Sequence, residues 1–146
     1  AQRLADTRSD AGRRRVLVLI TDGGDTKGSR YSQALEQAQR AGAMVYSLII
    51  VPIAADAGRN TGGEHALIQM AHDTGGKYYY VEEPKDLKPA FERVSDDLRT
   101  QYVLGYYAPK GGPDSSFRSI KVQMKDPSLR GRYSLRYRTG YYSDAR

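Results

Sequence analysis

The sequence predicts an α/β fold: a parallel sheet with helices packed on its faces, and an antiparallel β-meander appended at the C-terminal end. Three observations carry this. Continuous apolar runs at residues 16–20 and 43–51 read as strands buried on both faces. Helical periodicity comes after each of them. Beyond residue 100 the apolar positions alternate with period two, the mark of half-exposed antiparallel strands.

In order along the chain, residues 1–15 read as a helix remnant and a basic loop that ends in Arg13, Arg14 and Arg15. Residues 16–20, VLVLI, form the first strand, bounded by charge on one side and Asp-Gly on the other. Residues 32–41 form a helix with Ala34, Leu35, Ala38 and Ala41 at helical spacing, closed by Gly42 as its C-cap. Residues 43–51 are the second strand, and residues 52–63 a loop rich in Ala, Gly and Asn. Residues 64–74 form a second helix with Leu67, Met70 and Ala71 on one face, stopped by Gly75-Gly76. Residues 77–81 are the third strand. Asp86 is placed to cap a third helix, with Pro89 tolerated in its first turn. Leu87, Phe91, Val94 and Leu98 stand at i, i+4, i+7 and i+11, as one apolar face. Strand–helix alternation of this kind requires right-handed crossovers.

Residues 101–107 read as the first strand of the meander, and residues 108–116 as a Pro/Gly loop. Ile120, Val122 and Met124 alternate with polar residues, as do Tyr133, Leu135 and Tyr137. Three short strands with a single apolar face are barely stable alone, so the meander is expected to pack on the α/β part. The organisation expected is residues 1–100 as the α/β part and residues 101–146 as the meander.

Composition narrows the chemistry. The 146 residues suit one domain better than two. The absence of Cys excludes disulfides, thiolate metal sites and a thiol nucleophile. No apolar run is long enough to span a membrane. The formal charge is +6, from 23 Lys+Arg against 17 Asp+Glu, with Arg concentrated at residues 13–15 and again beyond residue 117. A basic face suits nucleic acid or an anionic surface, and a solvated strand face is the simpler reading. Tyr, at 12 residues, serves half-buried sheets as well as it serves base stacking.

The turn after the first strand carries the chemistry. Thr21-Asp22-Gly23-Gly24-Asp25-Thr26 lies at the carboxyl end of that strand, where open parallel sheets place their ligands. Its side chains offer only oxygen, which suits a hard cation such as Mg²⁺. The competing reading is turn and capping chemistry, with Asp22 bonding its own loop and Asp25 or Thr26 capping the next helix. The two histidines, His65 and His72, lie seven apart on one helix face, roughly 10 Å from each other and too far for one metal. Lys27-Gly28-Ser29 lacks the phosphate-loop order, and no G-x-S-x-G or H-E-x-x-H is present.

The string VLVLITDGGDT resembles the third metal-site loop of von Willebrand factor A (VWA) domains. With AMVYSLII, the TGG of residues 74–76, QYVLGYY, FRSIKVQM and YSLRYRTGYY in the same order, the chain resembles the bacterial VWFA-related family over about residues 13–142. The resemblance implies a metal-ion-dependent adhesion site, to which Asp22 corresponds. Such a site also needs an Asp-x-Ser-x-Ser loop. DSSFR at 114–118 and DPSLR at 126–130 come nearest, and both place Arg where Ser is required. The chain is therefore read as the C-terminal half of the domain, a partial doubly wound, Rossmann-like sheet with the meander appended.

By the same resemblance the chain is expected to be a non-enzymatic, adhesion-type protein-binding module. Asp22 and Asp25 are the expected metal ligands and Thr26 the residue nearest the partner. Mg²⁺ or another divalent cation is expected in the intact domain, and none tightly bound by this chain alone. The alternatives are a metal-assisted hydrolase using Asp22 and Asp25, and a nucleic-acid-binding protein using the Arg-rich meander. A protein partner is expected, with no nucleic acid and no membrane span. The resemblance implies an extracytoplasmic location. A strand at 16–20 without its neighbour has an open edge, which implies a homodimer through that edge.

Overall fold

The computed structural model describes residues 14–24, 31–51, 61–107 and 116–143. Three strands, β1 (Arg15–Thr21), β2 (Ala43–Ile50) and β3 (Tyr78–Val81), form a parallel sheet in the order β1-β2-β3. Val16 lies opposite Met44, Val18 opposite Tyr46, and Leu48 opposite Tyr79. Three helices join and flank these strands: α1 (Tyr31–Arg40), α2 (Thr61–Thr74) and α3 (Leu87–Arg99).

The side-chain alternation of the strands sorts the core into two layers. Val16, Val18, Met44, Tyr46 and Leu48 point to one face and pack with Ala90, Val94, Leu87 and Leu98 of α3. Leu17, Leu19 and Val45 point to the other and pack with Tyr31, Leu35 and Ala38 of α1 and with Met70 of α2. Helices therefore cover both faces, which is why the strands read as continuous apolar runs instead of alternating ones. β2, central among the described strands, is the most buried: Val45 through Ile49 are closed off from solvent. At its start, where β3 has not yet begun, the Val45 N–H donates to the buried Thr74 hydroxyl at 2.9 Å. That hydroxyl in turn donates to the Met70 carbonyl at 2.8 Å, so neither donor is left over.

Some expected faces shift. The buried stripe of α3 runs Leu87, Ala90, Val94, Leu98, and Phe91 is 44% exposed. Position 90 lies nearer the centre of that stripe, so an alanine is buried while the larger ring beside it stays at the margin. Ala34 of α1 is exposed, and Tyr31 takes a place in the apolar layer. Asp86 stands at the N-cap position of α3, as expected, but its side chain makes no capping hydrogen bond to that helix. Its Oδ2 accepts the Glu83 N–H at 2.9 Å and closes a 3₁₀ turn, Pro84–Asp86, that leads into the helix.

C-terminal to α3 the regular pairing is short. β4 (Phe117–Ser119) and β5 (Gly140–Tyr142) form an antiparallel pair with Phe117 opposite Tyr142. Residues 101–107, 120–124 and 133–138, read from the sequence as three meander strands, form no ladder. The physical reason is visible at 136–139. Arg136 forms two hydrogen bonds to Asp97 of α3, at 2.7 and 3.1 Å, and the Thr139 N–H donates to the Asp73 carbonyl of α2 at 3.1 Å. The Arg136 side chain and the Thr139 N–H are thus committed to helix ends, while the Thr139 carbonyl still accepts the Ile120 N–H at 2.8 Å. β5 rests against α1, where the Arg40 guanidinium lies 4.0 Å over the Tyr142 ring. No described helix is long and apolar enough to cross a membrane.

Candidate metal-binding turn

β1 delivers Asp22 to the carboxyl end of the sheet. The turn is held by its own side chains: the Gly23 N–H donates to Thr21 Oγ1 at 3.1 Å, and the Gly24 N–H donates to Asp22 Oδ1 at 3.0 Å. Both are turn-forming side chain to backbone bonds of the Asx and Ser/Thr type. Gly23 adopts φ +86°, where a side chain is strained.

Backbone contact with α2 fixes the turn's position. A Cβ on Gly63 would lie 1.8 Å from the Gly23 carbonyl oxygen, and one on Gly23 would lie 2.9 Å from the Glu64 nitrogen. Asp22 is therefore carried to the first turn of α2, whose N–H groups and dipole favour negative charge. Glu64 is also in that first turn, and its Oε1 accepts a short hydrogen bond from the Tyr80 hydroxyl of β3. The result is an acidic end of the sheet built from β1, β3 and α2.

Asp22 is exposed, so its carboxylate keeps its water and a cation could reach it. Its Oδ1 already serves the Gly24 N–H, as Thr21 Oγ1 serves the Gly23 N–H, so the turn reading and the ligand reading share the same oxygens. Mg²⁺ demands six oxygens near octahedral geometry. Asp22 and Thr21 supply a fraction of that set. Among the described residues no group of three or more His, Cys, Asp or Glu side chains is arranged to hold a metal. Asp25 and Thr26, the other ligand and the partner-facing residue read from the sequence, lie outside the described residues.

Of the two in-chain Asp-x-Ser sequences, the one at 114–118 begins outside the described residues, and the one at 126–130 has a different use. Asp126 Oδ1 accepts the Ser128 N–H at 2.8 Å and caps the 3₁₀ turn Pro127–Leu129. The Ser128 bonds hold the Asp126 carboxyl below the usual carboxylate range. His65 and His72 are exposed on α2, and His72 Nδ1 lies 3.1 Å from Asp73 Oδ1. The basic C-terminal segment is partly committed: Arg136 to Asp97, and Arg132 stacked 5.8 Å from the Tyr133 ring.

Glu64 and the Gly23–Gly63 contact escape sequence reasoning. The available signal is Gly62-Gly63 at a helix start. Two poor helix formers there imply that the backbone must be approached closely, but nothing in the sequence names the approaching segment.

The model of the von Willebrand factor type A domain matches residues 1–93. A comparison with curated proteins finds no match. Among solved structures the chain is similar to an uncharacterized membrane spanning protein from Vibrio fischeri, at 21% identity and a TM-score of 0.48. That likeness covers 62% of this chain and 49% of the other, so the chain spans about half the length of that structure. With its family model matched over well more than half of its length, the chain belongs to the von Willebrand factor type A domain family.

Proposed function

We propose that this domain is a non-enzymatic protein-interaction module whose partner contact runs through a divalent cation, Mg²⁺ in kind, held in part by Asp22. The observation that carries this is the exposed Asp22 carboxylate at the carboxyl end of β1, fixed by the Gly23–Gly63 contact against the first turn of α2. Asp25 is the second ligand in this reading and Thr26 the residue beside the partner. The partner supplies an acidic oxygen that completes the shell. An extracytoplasmic location and a homodimer through the edge at residues 16–20 belong to the same reading.

Titration calorimetry with Mg²⁺ and Mn²⁺ tests it. One or two carboxylates strip water from Mg²⁺ poorly, so this chain alone is expected to bind more weakly than about micromolar. Micromolar binding that Asp22→Ala abolishes overturns the partial-site reading. Assays of generic phosphate and ester substrates with Mg²⁺ test the non-enzymatic half, and turnover lost in Asp22→Ala counts against it.

A further inference from the structure

We propose that the cavity between α2, the start of β3 and the C-terminal segment binds a small carboxylate with an apolar body, whose charge is met by Lys77. The site stands apart from the Asp22 turn. Asp22 follows β1 at the carboxyl end of the sheet, whereas the cavity lies beside Gly76, Lys77 and Tyr78, where β3 begins.

Two clamps form the cavity. At one, the backbones of Gly75 and Arg138 meet: a Cβ on Gly75 would lie 2.7 Å from the Arg138 nitrogen. The Thr139 N–H adds its bond to the Asp73 carbonyl at 3.1 Å. At the other, the Arg136 guanidinium forks onto Asp97 of α3 at 2.7 and 3.1 Å. The segment held between them passes β3 without joining it, since β3 pairs with β2 alone among the described strands. The space left is about 330 Å³. That is the low end of the range for small-molecule sites, about 300–1,000 Å³. β2 lies between β3 and β1, so the cavity is at the far edge of the sheet from β1, and a strand added beside β1 does not fill it.

The walls define the ligand. Ile68 and Ala71 of α2 meet Ile120 and Leu135 to give an apolar lining. Tyr78 adds an aromatic wall, steadied by an edge-on contact with Tyr80 at 5.6 Å between ring centroids. Such walls suit an apolar body, and a few polar groups then set the class of ligand. Among the described residues that line the cavity His72, Lys77 and Arg136 are basic and none is acidic. His72 is turned to Asp73, with Nδ1 3.1 Å from Oδ1, and Arg136 to Asp97. Lys77 makes no ion pair among the described residues, and its ammonium stands 5.0 Å over the Tyr79 ring. Lys77 and Arg136 together act on one carboxylate, Asp97, so one positive charge is left over at this mouth. A single carboxylate matches that excess, and a body the size of a phenyl ring with a short chain matches the space.

The probes are 3-phenylpropionate and its neutral amide, 3-phenylpropionamide. Titration of the ¹⁵N-labelled chain with the carboxylate is expected to move the backbone amides of Ala71, Gly76, Tyr78 and Ile120, with a dissociation constant of about 1 mM or tighter. The neutral amide is expected to bind about fivefold more weakly. Lys77 is exposed, so Lys77→Met should keep the fold. It should weaken the carboxylate about fivefold and leave the neutral amide unchanged, a separation that a purely structural lysine would not give. Leu135→Trp, at a position 43% exposed, fills the cavity from its open side and should abolish the shifts from both probes. Asp22→Ala should leave both titrations as they are, which keeps this site distinguishable from the cation reading. No shift at these four amides below about 20 mM carboxylate overturns the site. Equal affinities for the two probes, or an unweakened Lys77→Met, overturn the assignment to a carboxylate. The same shifts from acetate at equal concentration overturn the apolar body, because charge alone then suffices.

Discussion

Asp97 and Arg136 are joined by a two-pronged ion pair across 39 residues of sequence, with guanidinium-to-carboxylate distances of 2.7 and 3.1 Å. The Asp97 side chain is 18% exposed and the Arg136 side chain 40%. The Tyr79 hydroxyl donates to the same carboxylate at 2.8 Å, so strand β3, helix α3 and the C-terminal segment meet at one group. Fork-to-carboxylate geometry of this kind is stronger and more specific than a single charged contact.

The pair is expected to hold the C-terminal segment to the α/β part. Asp97→Ala leaves the Tyr79 hydroxyl and Arg136 without their acceptor, and should cost about 1–3 kcal/mol. Because the Arg136 side chain is more than a third exposed, solvent screening lowers the share of the ion pair itself to about 1 kcal/mol. Urea denaturation of Asp97→Ala, Arg136→Ala and the double variant gives the coupling. A coupling energy near zero denies that the pair fastens the segment.

Acid should release the same contact. Burial alone pushes the Asp97 carboxyl up, but hydrogen bonds from Arg136 and Tyr79 outweigh it and hold the group below its ordinary range. A carboxyl whose folded pKa is depressed contributes stability that is complete above its unfolded pKa, about 3.9, and lost as the pH falls through the folded value. The loss therefore falls below about pH 4. The urea midpoint of the unaltered chain should drop through that window more steeply than that of Asp97→Asn. Parallel curves for the two would refute the assignment.

Gly63→Ala should be among the most damaging single changes outside the core. The added Cβ would lie 1.8 Å from the Gly23 carbonyl oxygen, a backbone atom that moves only if the whole turn moves. A cost of about 2 kcal/mol or more is expected, in the range of named large effects. Gly62→Ala, one residue earlier, is the control, and equal costs for the two would dispose of the close approach.

Leu48→Ala and Phe91→Ser separate the real core from the one periodicity suggests. Leu48 is fully buried in the layer under α3, so its truncation leaves a cavity and should cost about 3–5 kcal/mol. Phe91 is 44% exposed at the margin of α3, and its loss should cost about 1 kcal/mol or less. Thermal melts of the two variants measure the contrast, and the larger loss at Phe91 would reverse the assignment.

The sequence by itself determined the strand–helix alternation and the places where it turns. VLVLI and AMVYSLII are short apolar runs bounded by charge and turn residues, which reads as strands with two covered faces, because a strand with one wet face alternates. Gly42, at φ +60°, ends α1 where its lack of a side chain predicts. The position of Asp22 at a strand end was legible for the same reason: apolar run, then Asp-Gly-Gly. What only the tertiary structure decided is who meets that turn and where the C-terminal alternation goes. Gly23 meets Gly63, far along the chain, and Glu64 and Tyr80 join at the same end, through backbone approach that leaves no local pattern. The alternation at 133–138 predicts a strand with Arg136 turned to water, yet Arg136 is drawn to Asp97, and Tyr133 and Leu135 remain 58 and 43% exposed. Local periodicity records which side chains can share a face. It does not record that a half-buried carboxylate on α3 comes within reach of the Arg136 guanidinium, which is decided only when the two are brought together in space.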